Sequence, residues 1–161
     1  MPHDITLEVA GARVTLPAAT LTSLWLERVR GGDARGTVPP PKIGSTFPDQ
    51  HGIYAGLIAG TDELGGDAHL VVLAGDRGDL TWPEALAWAE SVGGRLPTRR
   101  EQAILFGNVP QLFENAWYWS SEQYAGDDES AWIQAFDLGL QSSTHKASRC
   151  RARAVRRVPI R

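Results

Sequence analysis

Cysteine is nearly missing from this chain: Cys150 is the single one in 161 residues. That excludes an internal disulfide and any zinc site assembled from several thiolates. Histidine is sparse as well, and His3, His51, His69 and His145 show neither HxH nor HxxxH spacing. No apolar run approaches the roughly 18 to 20 residues that cross a bilayer, so no membrane segment is expected. Met1-Pro2-His3-Asp4 offers no basic stretch followed by an apolar one, and no secretion signal is expected. Acidic residues stop at Asp137. Up to that point the chain holds nine basic and nineteen acidic side chains, net -10; beyond it come seven basic ones and no acid, net +7. A basic end can serve nucleic acid or an anionic partner. These arginines, however, alternate with small apolar residues as a folded strand requires, so internal pairing is the reading adopted and nucleic acid is not an expected partner.

What is present describes an ordinary globular chain, 42% hydrophobic and 22% charged, large enough for one domain and a small appendage. Ile5 to Val9 and Val14 to Leu16 alternate apolar and polar around Gly11, which predicts a hairpin. Leu21 to Val29 carries a helical stripe closed by Gly31-Gly32. Residues 1–32 are therefore expected to form a separate attachment or oligomerisation module. Residues 33–50, with Pro39-Pro40-Pro41 and Pro48, read as a linker. The main domain is expected over 51–161.

In that domain Ile53–Ala59 and His69–Ala74 read as strands. Thr81-Trp82-Pro83-Glu84 and Thr98-Arg99-Arg100-Glu101 are capping boxes that open two helices, one running to about Val92 and one stopping near Gly107. Strands are predicted at Trp117–Ser121, Ala131–Phe136 and Cys150–Val158, with a turn at Asp137-Leu138-Gly139 and an unpatterned polar loop at 141–149. The fold class is α+β. Trp119 and Trp132 both sit in apolar strand contexts and are expected to be buried. The three adjacent acids Asp127, Asp128 and Glu129 read as a solvated loop. Cys150, between Arg149 and Arg151, reads as a packing residue.

Arg95-Leu96-Pro97-Thr98-Arg99-Arg100-Glu101, Trp117-Tyr118-Trp119-Ser120-Ser121-Glu122-Gln123-Tyr124, Ala131-Trp132, Phe136-Asp137-Leu138-Gly139 and Arg151-Ala152-Arg153-Ala154-Val155-Arg156 form a distinctive series. In this order and spacing it resembles the C-type lectin fold in its bacterial and phage branch. More narrowly it is similar to the Lcl C-terminal-like family and to the variable proteins of diversity-generating retroelements. The resemblance spans residues 50–158. It implies a non-enzymatic domain that recognises a protein or glycan receptor on a cell surface. It also implies a phage or prophage tail setting, in the virion or in the bacterial cytoplasm before assembly, with residues 1–32 contacting other tail proteins and homo-oligomers allowed. A virion component without a ligand of its own is the alternative.

The resemblance implies a ligand face built from Tyr118, Tyr124, Gln134, Asp137, Gln141, Ser142, Ser143, Thr144, His145, Ser148 and Arg149. Small hydroxyl-bearing residues beside tyrosines suit adaptable recognition. Calcium-dependent lectins of this fold carry Glu-Pro-Asn or Gln-Pro-Asp together with Trp-Asn-Asp, and none of these occurs here. No cofactor or metal is therefore expected. Formylglycine-generating enzymes share the fold distantly but need several reactive cysteines, so catalysis of that type is not expected.

Overall fold

A computed structural model of the chain describes residues 4–9, 12–17, 41–60 and 65–160. The chain divides into two units, Met1–Pro40 and Pro41–Arg161. In the first, strands β1 (Asp4–Val9) and β2 (Ala12–Pro17) pair antiparallel, with Val9 opposite Ala12. The anticipated turn at Gly11, the helix at 21–29 and the linker segment 33–40 lie outside the described residues.

Among its described residues the second unit is α+β and holds two sheets and two α-helices. Its first strand is β3 (Thr46–Phe47), followed by β4 (Gly52–Ile58), β5 (Ala68–Leu73) and β6 (Arg77–Leu80). Helices α1 (Trp82–Ser91) and α2 (Arg99–Asn108) come next. Strands β7 (Trp117–Gln123), β8 (Ser130–Ala135), β9 (Gln141–His145), β10 (Cys150–Ala152) and β11 (Val155–Pro159) complete it. One sheet has the order β11-β5-β4-β3; the other has the order β6-β10-β7-β8-β9, with β10 and β7 parallel.

Three sequence expectations need correction. Residues 41–50 are not linker: the Gly44 N–H donates to the Tyr54 carbonyl at 2.8 Å, the Tyr54 N–H donates to the Ser45 carbonyl, and β3 pairs with β4. The polar stretch 141–145 is a strand rather than a loop, because β8 offers it a full ladder from Ser130–His145 to Gln134–Gln141. The anticipated last strand is two strands, interrupted after Ala152, which lets one segment serve both sheets.

Both helices start as their capping boxes dictate. The Glu84 carboxylate accepts the Thr81 N–H at 2.8 Å, and the Glu101 carboxylate accepts the Thr98 N–H while Thr98 Oγ1 accepts the Glu101 N–H. Helix α1 lays Ala85 and Ala89 against the five-stranded sheet, where their small side chains allow close approach to Trp119, Ile133 and Ala152. It ends at Gly93, whose φ of +77° favours glycine; a Cβ on neighbouring Gly94 would lie 2.6 Å from Leu73 Cδ1. Helix α2 covers the opposite face, where Leu105, Val109, Tyr118 and Phe136 meet Leu70 and Val72 of the other sheet.

The segment between the helices ties the two sheets together. Arg95 exchanges main-chain hydrogen bonds with Val155 of β11 in both directions, and the Pro97 carbonyl accepts the Ser121 N–H of β7. Glu101, fully buried one turn into α2, receives both terminal nitrogens of Arg95 and Nε of Arg157, the latter at 2.7 Å. Burial alone would raise its carboxyl pKa; the arginines and the Thr98 N–H outweigh that and hold it below the usual range.

The arginine-rich end is paired internally. Arg151 and Arg153 both reach Asp76, at 3.0 and 3.8 Å, and Arg149 approaches Asp79 and Glu84. Arg156 instead donates to the Gly93 carbonyl beyond α1. Among the described residues no helix is long and apolar enough to cross a membrane.

The tryptophan expectation holds in one case and fails in the other. Trp119 has 0% exposure and donates its indole N–H to the Leu80 carbonyl at 2.8 Å. Trp132 is only half-buried, and its side chain lies on the α2 side of β8 against Arg99, the first residue of the helix. Trp119→Ala should therefore cost about 3–5 kcal/mol in urea unfolding, and Trp132→Ala clearly less. Glu101→Gln strands two arginines and should cost about 3–5 kcal/mol at neutral pH. The folded carboxyl pKa is depressed, so this stabilisation is present above the ordinary glutamate value near 4.5 and lost as pH falls through the folded value. The stability gap between wild type and Glu101→Gln should thus hold from neutrality to about pH 5 and shrink below, read by urea melts across pH.

Candidate functional site

Alternation along β8 and β9 sorts the candidate residues onto two faces. Gln141, Ser143 and His145 stand opposite Gln134, Trp132 and Ser130, on the side covered by α2. Ser142 and Thr144 stand opposite Ile133 and Ala131, on the side covered by α1. Ser148 joins the second group through a 3.0 Å contact between its hydroxyl and that of Thr144, and Arg149 does so through Glu84 of α1. The anticipated single face is therefore two.

Two candidates are not surface groups at all. Tyr118 is 1% exposed, and its hydroxyl donates to Asp76 and accepts the Glu114 N–H at 2.9 Å. Burial, reinforced by the Asp76 hydrogen bond, pushes its pKa up to about 12. Gln134 is also 1% exposed and lies between Gln102 and Gln141. Each was anticipated as a ligand contact, and each is core because its strand face is the one that α2 closes. Asp137 is exposed, but it follows β8 while Tyr124 precedes it, so the length of the strand separates them. Its Oδ1 accepts the Leu138 N–H of its own turn.

On the α2 side the structure assembles a cluster that the sequence did not single out. The guanidinium carbon of Arg99, the first residue of α2, lies 3.4 Å from the Trp132 ring centroid. Tyr124 meets Trp132 edge to face, with centroids 5.2 Å apart and planes at 83°. Such a cation–aromatic contact contributes on the order of 0.5–2 kcal/mol, more as water is excluded. Arg99 takes part in none of the ion pairs among the described residues. Its terminal nitrogens therefore remain available to an acceptor from outside.

The cluster is held from behind. Arg99 Nε donates to Gln141 Oε1 at 3.2 Å, and Gln141 Nε2 donates to the Arg99 carbonyl and to Gln134 Oε1, both at 2.8 Å. Gln134 donates in turn to the Gln102 carbonyl, and Gln102 to the Tyr118 carbonyl. A chain of hydrogen bonds thus runs from the buried sheet to the half-buried arginine. It fixes Arg99 before any ligand arrives, which lowers the ordering cost of binding. The Glu122 carboxylate accepts the Arg99 main-chain N–H and occupies the positive end of α2.

Around the rim, His145 Nδ1 accepts the Ala147 N–H, while Nε2 stands 3.8 Å from Glu129. Asp127 spends its carboxylate on the Ser130 hydroxyl and the Glu129 N–H, which hold its pKa below the usual range. Among the described residues no group of three His, Cys, Asp or Glu side chains is arranged to hold a metal. Two pockets of about 230 and 410 Å³ exist elsewhere, and none of the β9 residues lines either.

The missed members had partial signals. Arg99 lies in the Arg95–Glu101 motif already noted, and Trp132 in the Ala131-Trp132 pair, but sequence places neither relative to the other across 32 intervening positions. No protein-family model and no curated protein matches the chain. Cys150 is held by burial, not activated by its arginine neighbours: its thiol pKa is pushed up to about 11. The folded protein should react with iodoacetamide at pH 8 at least about 100-fold more slowly than the urea-unfolded chain, since two pKa units remove that much thiolate. Comparable rates would show a thiol far more accessible than its place in β10 allows.

Proposed function

We propose that the chain is a non-enzymatic recognition domain of the C-type lectin fold, associated with a phage or prophage tail. It binds a protein or glycan receptor on a bacterial surface. The observation that carries this reading is the Arg99–Trp132–Tyr124 cluster, an aromatic surface with a guanidinium that joins no ion pair among the described residues and is fixed in place by Gln141, Gln134 and Gln102. A rigid scaffold beneath small polar side chains supports it, since Ser143 and His145 can change without disturbing the core. The α+β arrangement of two helices on opposite faces of a mixed sheet is compatible with that fold, and the motif series of residues 95–156 supplies the resemblance to tail proteins.

In this reading Arg99 supplies directed donors to an acidic or carbonyl group, and Trp132 and Tyr124 supply apolar area for a sugar ring or aliphatic side chain. Ser143, Gln141 and His145 add hydrogen bonds along the strand. The test is retention of fluorescently labelled protein by a panel of bacterial strains, measured by flow cytometry. Arg99→Ala should reduce retention at least about tenfold on any strain that binds, corresponding to one strong charged hydrogen bond. Ser142→Ala and Ser148→Ala, on the opposite face, should leave it unchanged. If Arg99→Ala binds as wild type does, the cluster is not the receptor site.

A further inference from the structure

Of the four outer strands in the two sheets, β9 alone lacks the features by which edges avoid pairing with another chain. Strand β3 is two residues long. Strand β6 is short, carries Asp79 at positive φ and pairs across a register shift. Strand β11 carries Arg156, Arg157 and Pro159. Strand β9, Gln-Ser-Ser-Thr-His, runs five residues with neither proline nor a charged Lys, Arg, Asp or Glu, and its ladder to β8 is free of bulges.

The register shows which main-chain groups this edge presents. The Ala135 N–H donates to the Leu140 carbonyl, and the Lys146 N–H to the Glu129 carbonyl, at the two ends of the β8–β9 ladder. Hydrogen-bonded pairs alternate along an antiparallel ladder, so Ser142 and Thr144 direct their main-chain groups to β8. Gln141, Ser143 and His145 direct theirs outward. Among the described residues the outward groups of Gln141 and Ser143 have no main-chain partner; the His145 carbonyl accepts the Ser148 N–H and keeps a second lone pair.

This outward set is symmetric about Ser143. We infer that β9 pairs antiparallel with β9 of a second copy of this chain, about a two-fold axis at Ser143. Ser143 then exchanges both hydrogen bonds with its counterpart, and Gln141 of each copy faces His145 of the other. A two-fold contact requires that kind of self-complementarity, in which residue i meets j and j meets i. Like charges do not meet: the facing side chains are serine on serine and glutamine on histidine. The pairing consumes the unguarded edge of both copies, so assembly closes at the dimer. Because the axis of such a pair stands perpendicular to the sheet, both Arg99–Trp132 clusters emerge on the same side, ready for bivalent attachment.

The experiment is sedimentation velocity of the full chain over a wide dilution series, with melting temperature measured in parallel. Wild type should show a concentration-dependent species at twice its 17.5 kDa mass. Ser143→Pro removes only an outward N–H and should abolish that species while keeping the wild-type melting temperature. Ser142→Pro removes a ladder N–H and should lower the melting temperature. If Ser143→Pro fails to fold, Ser143→Lys decides, since it sets two like charges opposite each other and should leave a folded monomer. Arg99→Ala should remain dimeric, which separates this inference from the receptor site. A wild-type monomer at every concentration, or a dimer that survives the folded Ser143 variant, overturns the pairing.

Discussion

The buried carboxylate of Glu101 is the point through which the larger unit is joined. It accepts from Arg95 before α2, from Arg157 on β11 and from the Thr98 N–H that starts the helix. A charge at 0% exposure is tolerable only when its partners replace water on every side, and here the guanidinium groups do so. The consequence is geometric: once Glu101 is fixed, the first turn of α2 is fixed against β11 and against the segment that leads into the helix. Arg99 sits two residues earlier, on that same turn.

The recognition surface inherits its rigidity from this arrangement. Glutamines carry the order outward, from the Tyr118 carbonyl through Gln102 and Gln134 to Gln141, and Gln141 clasps Arg99 at both its carbonyl and its Nε. Gln141 and Gln134 each donate and accept through the side-chain amide, while Gln102 accepts at its main-chain carbonyl and donates its Nε2, so direction is relayed through the core without burying charge. Tyr118 anchors the inner end with its hydroxyl between Asp76 and the Glu114 N–H. Residues anticipated as ligand contacts, Tyr118 and Gln134, thus serve the site from behind.

Charge asymmetry along the chain has the same structural origin. Four of the arginines after Asp137, namely Arg149, Arg151, Arg153 and Arg157, lie on or beside β10 and β11 where these return between elements that carry Asp76, Asp79, Glu84 and Glu101. Arg151 and Arg153 share Asp76, Arg149 lies between Asp79 and Glu84, and Arg157 completes Glu101. A late basic segment and an earlier acidic one neutralise each other by folding. Arg99, half-buried, stands outside these pairs and lies instead over the Trp132 ring.

Local chemistry determined much of this protein from sequence alone. Thr81–Glu84 and Thr98–Glu101 announce both helix starts because a capping box is satisfied within four residues, whatever surrounds it. Short apolar and aromatic runs between polar segments mark β4, β5, β7 and β8. Tertiary structure alone decided that 141–145 is a strand, since five small polar residues carry no period and take their conformation from the ladder that β8 provides. It also decided which side of that strand each residue faces, and so divided Gln141, Ser143 and His145 from Ser142 and Thr144. The meeting of Arg99 with Trp132 is likewise a long-range event: it depends on Glu101 seating α2 across β8, a contact between distant segments that neither local propensity nor pattern encodes.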